Sequence, residues 1–382
     1  MSENRNVPKL RFAEFSHPWS EQKLQDSFSN SRKKGDSKVP IYSVSQSKGL
    51  VPRDSLERVI QKDAKSEQNL RVEPGDIAYN MMRMWQGAYG ISETTCMVSP
   101  AYVVLKPKKE TVSRFFFYQF ERKRSRYFFT TYSHGLTLDR LRLYFDDFGS
   151  IPVHVPSVQE QQKIAEFLTA VDRRIELLQA KKEKLETYKK GVMQKIFSQK
   201  LRFKADGGSD FPDWEEKKLG EVLDYEQPTK YLVSSTDYSN EFSTPVLTAG
   251  KTFLLGYTDE TSGIFNKNLP KIIFDDFTTA FQFVDFPFKA KSSAMKMLIP
   301  RDSSVNMHYV FSAMLQIKYT PGDHKRHWIS EFQEFEIPYP SVAEQKKIVQ
   351  FLTNLDSNIE NLNQQITQTQ TWKKGLLQKM FV

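Results

Sequence analysis

The chain repeats part of itself at a fixed offset, and this repeat constrains its architecture more than any other feature. YKKGVMQKIF at 188–197 recurs as WKKGLLQKMF at 372–381. PSVQEQQKIAEFLTAVDRRIELL, from residue 156, likewise aligns with PSVAEQKKIVQFLTNLDSNIENL, from residue 340, at the same offset of 184 residues. Two copies are too few for a solenoid, so the repeat indicates a chain of two related halves.

A shorter repeat precedes the long one. KLRF at 9–12 recurs at 200–203, and HPWSEQKL at 17–24 resembles PDWEEKKL at 212–219. Each half therefore consists of a leading segment, a body that differs between the halves, and a shared tail.

Several signals predict that each tail is one long helix. Ser157 precedes Glu160, and Ser341 precedes Glu344, by the three-residue spacing of a capping box. Apolar residues then recur in steps of four and three, which is the pattern of a coiled-coil seam. These residues are Ile164, Leu168, Val171, Ile175 and Leu178 in the first tail and Ile348, Leu352, Leu355, Ile359 and Leu362 in the second.

Two helices with such seams would each expose an apolar stripe to water unless the stripes were covered. We therefore expect the tails to pair as an intramolecular antiparallel coiled coil. The alternative is that each helix packs on its own body. Lys189 and Lys373 interrupt the seams at equivalent positions.

Before each tail, a period-two pattern predicts a short strand. Ile151, Val153 and Val155 align with Phe335, Ile337 and Tyr339. The bodies contain strand-like runs broken by Gly and Pro, which predict compact mixed α and β domains. The expected fold class is α+β, with a first domain at 1–155, a central helix at 156–198, a second domain at 199–339 and a final helix at 340–382.

The net charge of +9 favours a polyanionic partner, but its distribution is uneven. Residues 27–150 contain 21 Lys and Arg against 13 Asp and Glu, whereas residues 224–336 contain 11 against 14. The two bodies therefore differ in surface chemistry.

The single cysteine, Cys96, excludes an internal disulfide framework and fits a reducing compartment. No run approaches the roughly 18–20 apolar residues that span a bilayer. We therefore expect a cytoplasmic protein that does not enter membranes.

Motifs of catalysis are missing from the sequence. AGKT at 249–252 ends like a phosphate-binding loop, but Pro245 stands where the first glycine of that loop is required. The chain has no Pro-Pro dipeptide of an amino methyltransferase, and its six histidines show no metal-ligand spacing beyond the pair at 324 and 327. We expect no catalytic residue, no metal site and no cofactor of its own.

The order of parts resembles the specificity subunit of type I restriction-modification enzymes. The resemblance covers essentially the whole chain and depends on Trp19 and Trp214, on the helix openings at 156–168 and 340–352, and on the KKGxxQKxF ends. It implies that each body is a target recognition domain that reads one half of a split double-stranded DNA site. It also implies that the paired helices act as a spacer that docks two methyltransferase subunits and, optionally, two restriction subunits. S-adenosylmethionine, ATP and magnesium would bind those partners.

Candidate DNA contacts are polar residues at strand ends, since specificity needs side chains that reach base edges. Arg142 and Arg326 align across the repeat, so a shared task such as a phosphate contact or a salt bridge between body and helix is expected of them. The candidates are Ser45, Gln46, Lys48, Arg83, Gln86 and Arg142 in the first body and Thr248, Lys251, Thr252, Lys325 and Arg326 in the second.

A second interpretation remains open. The chain could be a coiled-coil scaffold whose two globular domains bind protein partners, and the acidic balance of the second body favours this. A self-contained enzyme is disfavoured by the missing motifs.

Overall fold

The computed structural model of the protein describes residues 6–36, 38–46, 48–56, 68–250, 252–320 and 326–382. It divides into two units. Unit 1 is formed by Met1–Ala180 and Asn363–Val382, and unit 2 by Lys181–Leu362. Each of the two long helices therefore contributes one part to each unit.

Unit 1 contains a four-stranded antiparallel sheet, three two-stranded sheets and four short helices in the part that the structure describes. Its elements are β1 (Ser20–Lys23), α1 (Leu24–Ser27), β2 (Phe28–Ser31), β3 (Tyr42–Ser45), β4 (Gly49–Pro52), β5 (Leu70–Val72), β6 (Ile77–Asn80), β7 (Tyr89–Ile91), β8 (Cys96–Val98), β9 (Tyr102–Pro107), α2 (Ser113–Phe120), α3 (Lys123–Thr131), α4 (Phe145–Ser150) and β10 (Pro152–Val155), followed by the first long helix, α5 (Val158–Phe197).

Unit 2 is built in a similar order. Its elements are β11 (Glu215–Lys218), α6 (Leu219–Val222), β12 (Leu223–Glu226), β13 (Thr244–Leu247), β14 (Leu254–Thr258), β15 (Lys271–Asp275), β16 (Phe281–Val284), β17 (Lys289–Ala290), β18 (Met295–Pro300), α7 (Met307–Met314), α8 (His327–Ser330) and β19 (Glu336–Tyr339), followed by the second long helix, α9 (Val342–Lys379).

The two bodies share a main sheet although their sequences differ. The strand order is β2-β9-β6-β7 in unit 1 and β12-β18-β15-β16 in unit 2, and every neighbouring pair is antiparallel. A helix follows the second strand of that order in each unit, α2 after β9 and α7 after β18. The predicted α+β class is confirmed, and the likeness of the halves extends into the bodies.

The leading segments complete the strands that precede the helices. β1 pairs antiparallel with β10, with Ser20 opposite Val155, and β11 pairs in the same way with β19, with Glu215 opposite Tyr339. The strands predicted from the period-two pattern are therefore present. Their partners are the leading segments, so each half begins and ends at the same place in its unit.

The predicted capping boxes are only half formed. Ser157 Oγ accepts a hydrogen bond from Glu160 N at 3.4 Å, and Ser341 Oγ accepts one from Glu344 N at 3.4 Å. The glutamate side chains do not return to the helix start, because each binds a buried arginine and tryptophan instead. The serine part of the prediction is confirmed and the glutamate part is wrong.

Glu160 binds the leading segment of unit 1 to the first turn of α5. Its carboxylate accepts hydrogen bonds from Arg11 Nε and Arg11 Nη2, both at 2.7 Å, and from Trp19 Nε1 at 3.2 Å. The side chain of Glu160 is 1% exposed and that of Arg11 is 11% exposed. A buried carboxylate therefore receives three donors from a segment about 145 residues away.

Glu344 has the same role in unit 2. It accepts hydrogen bonds from Arg202 Nε at 3.2 Å, from Arg202 Nη2 at 2.8 Å and from Trp214 Nε1 at 2.8 Å. Arg202 is more exposed than Arg11, at 24%. We call these two sites the glutamate clamps.

The long helices pair within each unit. In unit 1 the early part of α5 packs in one core with the end of α9, where Leu376, Leu377 and Met380 are buried. In unit 2 the end of α5, with Val192 and Ile196, packs in one core with the start of α9. The early part of one helix meets the late part of the other in both units, so the predicted antiparallel coiled coil is confirmed.

Most of the predicted seam residues are buried. Leu178 and Ile359 are half-buried, and the buried ones are Ile164, Leu168, Val171, Ile175, Ile348, Leu352, Leu355 and Leu362. The alternative in which each helix packs only on its own body is therefore wrong.

The lysines that interrupt the seams form ion pairs between the helices. Lys373 lies 2.9 Å from Asp172 and 3.0 Å from Glu121, and Lys189 pairs with Asp356. The two interhelical pairs are exchanged by the 184-residue offset. Burial alone would lower the pKa of Lys373, but the neighbouring Glu121 and Asp172 raise it above its usual value.

Replacing Glu160 with Ala should lower the free energy of unfolding by about 3–5 kcal/mol, because the buried Arg11 loses its counter-charge. Glu344→Ala should cost less, since Arg202 can be solvated. Thermal and denaturant unfolding of the full chain measure both. The matched control is Glu166→Ala on the exposed face of α5. Equal effects of Glu160→Ala and the control would contradict the clamp.

Replacing Lys373 with Met should destabilise the protein more at pH 8 than at pH 5. Burial raises the pKa of Glu121, and Lys373 opposes that rise. A carboxyl whose folded pKa is raised stabilises the fold below its unfolded pKa, and this stability is lost as the pH rises through the folded pKa. Without Lys373 the folded pKa of Glu121 rises further, so the penalty should grow above about pH 4.5.

Melting temperatures of the variant and wild type across this pH range provide the measurement. Lys189→Met is the matched control, because its partner Asp356 is 55% exposed and the charge left behind is hydrated. Its cost should stay within about 1 kcal/mol and should not change with pH. A penalty for Lys373→Met that does not vary with pH would disprove the role given to Glu121.

Candidate nucleic-acid interface

One end of the main sheet in unit 1 carries a tight turn between β6 and β7. Asn80 Oδ1 accepts a hydrogen bond from Met82 N at 3.0 Å, and residues Met84–Gln86 form one turn of 3-10 helix. Gly87 closes the turn at φ +89°, where a side chain would be strained. We call residues 80–87 the unit 1 turn.

The unit 1 turn presents polar groups from a buried base. Met84 is fully buried and anchors the turn, whereas the adjacent Arg83 is exposed. The neighbouring loop between β3 and β4 joins it, since Gln46 Nε2 donates to Gln86 Oε1 at 2.7 Å. The structure thus brings together two of the predicted contacts, Gln46 and Gln86. Paired amides offer both a donor and an acceptor, which is what base edges in the major groove require.

The other predicted residues of this loop take different positions. Ser45 is the last residue of β3. Lys48 is exposed and lines a neighbouring cleft together with Glu93 and Arg114. These two lie near the unit 1 turn in sequence space, but only Gln46 is joined to it by a hydrogen bond between side chains among the described residues.

Arg142 lies beside the unit 1 turn. Its backbone pairs with His134 through two hydrogen bonds of 2.9 Å, and the next residue, Leu143, donates from its N–H to Met81 O at 2.9 Å. The side chain of Arg142 is exposed and forms no ion pair in the described part of the chain. The predicted salt bridge to a helix is therefore absent there, and the predicted phosphate contact remains a prediction.

Unit 2 has an equivalent turn that the sequence analysis missed. Residues 276–280 connect β15 and β16, the counterparts of β6 and β7 in the main sheet. His327 N donates to Asp276 O at 3.0 Å, just as Leu143 N donates to Met81 O, and residues 143 and 327 are related by the repeat offset. We call residues 275–280 the unit 2 turn.

The unit 2 turn differs in chemistry from the unit 1 turn. Asp275 Oδ1 accepts hydrogen bonds from Phe277 N, Thr278 N and Thr278 Oγ1 at 2.8–3.1 Å. Phe277 is 49% exposed. The strand-like runs KIIFD and FQFV on either side of DFTTA are the sequence signal that could have identified this hairpin.

A buried ion pair supports the unit 2 turn from behind. Asp276 Oδ2 lies 3.0 Å from Lys296 Nζ, and the two side chains are 5% and 2% exposed. Asp276 Oδ1 also accepts a hydrogen bond from Trp328 N at 2.9 Å. The turn is therefore fixed by charge, whereas Met84 fixes the unit 1 turn by apolar burial.

The predicted contacts in unit 2 lie on a different sheet from the unit 2 turn. Thr248 and Thr252 belong to the hairpin of β13 and β14. Thr248 Oγ1 donates to Thr252 O at 2.8 Å and accepts from Gly250 N at 3.2 Å, so this hydroxyl is engaged within its own hairpin. Lys251 lies outside the described residues.

Of the remaining two candidates, Arg326 is exposed and immediately precedes α8, where its carbonyl accepts hydrogen bonds from Ser330. Like Arg142, it forms no side-chain ion pair with a residue that the structure describes. Lys325 lies outside the described residues. Among the described residues, no three His, Cys, Asp or Glu side chains are grouped so as to hold a metal ion. No helix there is long and apolar enough to cross a membrane.

Solved structures with the same fold come from one class of protein. The chain matches the crystal structure of a type I restriction-modification system S subunit from M. genitalium with a TM-score of 0.61 at 16% identity, covering 98% of this chain and 99% of that chain. It also matches a chain in a structure that describes complex assembly and conformational transition of the type I system, with a TM-score of 0.53 at 13% identity, covering 96% and 99%. At these identities the likeness concerns the fold.

Curated relatives are similar over shorter segments. The chain is 52% identical over 145 residues to the type I restriction enzyme EcoR124I/EcoR124II specificity subunit of Escherichia coli, covering 35% of this chain and 36% of the relative. It is 36% identical over 90 residues to the MjaVIII specificity subunit of Methanocaldococcus jannaschii, covering 22% and 21%. The matched segments thus span about a third and a fifth of these relatives.

The family model of the type I restriction modification DNA specificity domain matches the chain twice, at residues 21–187 and 212–369. Each match runs from a leading strand, through a body, into a long helix. The resemblance drawn from the repeat is confirmed, and the chain belongs to the family of type I restriction-modification DNA specificity domain proteins.

Proposed function

We propose that the chain is the DNA-recognition subunit of a type I restriction-modification complex and that it reads a bipartite, asymmetric DNA site. One observation carries the proposal: the same sheet in both units ends in equivalent turns of unlike chemistry. The unit 1 turn offers a guanidinium and amides, and the unit 2 turn offers a threonine hydroxyl and an exposed phenylalanine. Two readers of one fold but different surface chemistry suit two different half-sites.

The side chains of the turns match the chemistry of base readout. An arginine donates in a bidentate manner to guanine O6 and N7, and a glutamine amide pairs with adenine N6 and N7. Threonine contacts several bases, and an apolar side chain contacts the thymine methyl. Arg83 and Gln86 would read one half-site, and Phe277 and Thr278 the other.

The partners and cofactors follow from the same proposal. The paired helices would dock two methyltransferase subunits and, optionally, two restriction subunits. S-adenosylmethionine, ATP and magnesium would bind those partners, which carry out the chemistry. The complex would act in the cytoplasm, where the DNA of a bacterial or archaeal cell lies.

A protein-binding scaffold is the competing function, and it draws on the acidic unit 2 turn, where Asp275 and Asp276 replace the basic and amide groups of unit 1. The two functions differ in their response to salt. DNA affinity should fall steeply as salt rises, because binding releases counterions from the duplex.

Expression of the chain with the methyltransferase encoded beside it should produce N6-methyladenine at one split motif in the host genome. Single-molecule sequencing of genomic DNA measures this directly. Cells that contain the methyltransferase alone are the control and should lack the motif. Co-purification with other proteins, together with no methylation that depends on the chain, would favour the scaffold.

Substitutions in the two turns should alter different halves of that motif. Arg83→Ala should relax one position in one half by roughly 1–3 kcal/mol of discrimination, and Thr278→Ala should affect only the other half. Lys109→Ala is the matched control, since Lys109 is exposed and follows β9 at the opposite end of the sheet. An effect of both turn variants on the same half would rule out the assignment of one unit to each half-site.

A further inference from the structure

A basic cleft in unit 1 remains unused by the interface described above. It lies where the end of α2 and the start of α3 meet the last turns of α9, and its volume is about 530 Å³. We call it the unit 1 cleft. Its lining consists of Glu121, Arg122, Lys123, Arg124, Arg126, Lys374, Leu377 and Gln378.

The charges of the unit 1 cleft are not balanced within the cleft. Its one carboxylate, Glu121, is already paired with Lys373 at 3.0 Å. None of the five basic residues of the lining forms an ion pair with a side-chain carboxylate among the residues that the structure describes. Cations gathered without counter-charges repel one another, and an anion bound among them would relieve this repulsion.

Arg122 shows the strain of this arrangement. It donates from Nη1 to Val382 O at 2.7 Å, and its guanidinium lies 5.6 Å from the ring centre of Phe381. Burial, and then the charge of Arg124, lower the pKa of Arg122 to about 10. The guanidinium is therefore less stable as a cation here than in water.

The repeat provides an internal comparison for the unit 1 cleft. α7 ends at Met314 as α2 ends at Phe120, and the ring of Phe197 packs on Tyr309 as the ring of Phe381 packs on Phe115, at 5.6 and 5.2 Å. The same place in unit 2 is also a cleft. It is lined by Glu186, Lys189, Lys190, Met193, Gln194, Leu315, Gln316, Lys318, Asp356 and Ile359.

The unit 2 cleft lacks the excess of charge. Lys190 corresponds to Lys374, and Lys318 stands four residues after its helix end as Arg124 does. Gln316 occupies the place of Arg122, and Lys189 is neutralised by Asp356. Its lining has three basic and two acidic residues, against five and one in unit 1.

This asymmetry argues against one protein surface binding both clefts. Identical partner subunits docked on the two halves would need equivalent surfaces, and these surfaces differ in charge. The ligand of the unit 1 cleft should therefore be an anion that contacts unit 1 in its own way.

The unit 1 cleft also connects to the unit 1 turn. A Cβ added to Gly87 would lie 3.2 Å from Arg126 Nη2, so the guanidinium of Arg126 rests against the closing residue of the turn. A polyanion held at the turn would be continuous with the cleft. Arginine and lysine positioned in this way contact phosphates without reading sequence.

We propose that the unit 1 cleft binds backbone phosphates of the DNA duplex through Arg124, Arg126, Lys123 and Lys374. This inference rests on the proposed DNA-recognition function and adds a sequence-independent site to it. The contact anchors the first half-site more strongly to salt-sensitive interactions than the second.

The test compares two double variants of the full-length chain that remove equal charge from equivalent places. Arg124→Gln with Lys374→Gln alters the unit 1 cleft, and Lys318→Gln with Lys190→Gln alters the unit 2 cleft. The probe is a fluorescein-labelled 40-base-pair duplex of mixed sequence. Its dissociation constant is measured by anisotropy over a series of potassium chloride concentrations, and a second unrelated duplex is measured in parallel.

The unit 1 variant should reduce the slope of log K against log salt by about 2, since each lost phosphate contact contributes about 0.9. Its affinity should fall roughly tenfold or more at ~0.1 M salt, and equally for both duplexes. The unit 2 variant should retain the wild-type slope. If the unit 1 variant does not fold, as judged by circular dichroism, Lys123→Gln alone should reduce the slope by about 1.

Three results would overturn parts of the account separately. If wild type binds DNA and both double variants keep its slope, the unit 1 cleft is not a phosphate site. If the slope is kept but co-purification with the methyltransferase is lost, the cleft binds an acidic protein surface instead. If wild type itself shows no salt-dependent DNA binding, the proposed function fails before the cleft is considered.

Discussion

A buried carboxylate in the first turn of each long helix holds each unit together. Glu160 and Glu344 each receive two hydrogen bonds from an arginine and one from a tryptophan indole of the leading segment. Such a carboxylate is costly to bury unless its partners are in place. Each clamp therefore makes the leading strand, the strand before the helix and the helix itself depend on one another, and the main sheet is fixed relative to this frame.

The clamps also explain why the chain closes on itself. In unit 2 the leading segment follows α5 directly, and Leu201 N donates to Lys195 O at 3.0 Å. In unit 1 the leading segment meets the end of α9, and Leu10 N donates to Lys379 O at 2.8 Å. Lys195 and Lys379 are related by the repeat offset. The same joint is thus made along the chain in one unit and between distant segments in the other.

The sequence predicted the repeated frame well because its signals are local. Heptad steps, the serine caps and the period-two runs each depend on residues close together in the chain, and the structure bears them out, apart from the glutamates of the capping boxes. Those glutamates obey a second, stronger demand, the burial of Arg11 and Arg202. No local rule could reveal a partner about 145 residues away.

The bodies were harder to predict because strand order depends on distant pairings. Nothing in the differing sequences of β6 and β15 indicates that both occupy the third position of the same sheet. The unit 1 turn was found because Arg83 and Gln86 are conspicuous polar groups at a strand end. The unit 2 turn was missed because attention went to Thr248 and Lys251, in a hairpin that contains the more striking AGKT run.

The two turns differ in how they are supported, and this limits how recognition can change. The unit 1 turn is anchored by the buried Met84, so its exposed residues can vary while the apolar anchor stays. The unit 2 turn contributes Asp276 to a buried ion pair with Lys296, and removing either partner would leave an unpaired buried charge. Substitution of exposed residues can therefore adjust the first reader, whereas the second is tied to the strand behind it. Replacement of the whole body between the leading strand and the long helix avoids this conflict, because the clamp and the paired helices do not depend on which body they hold.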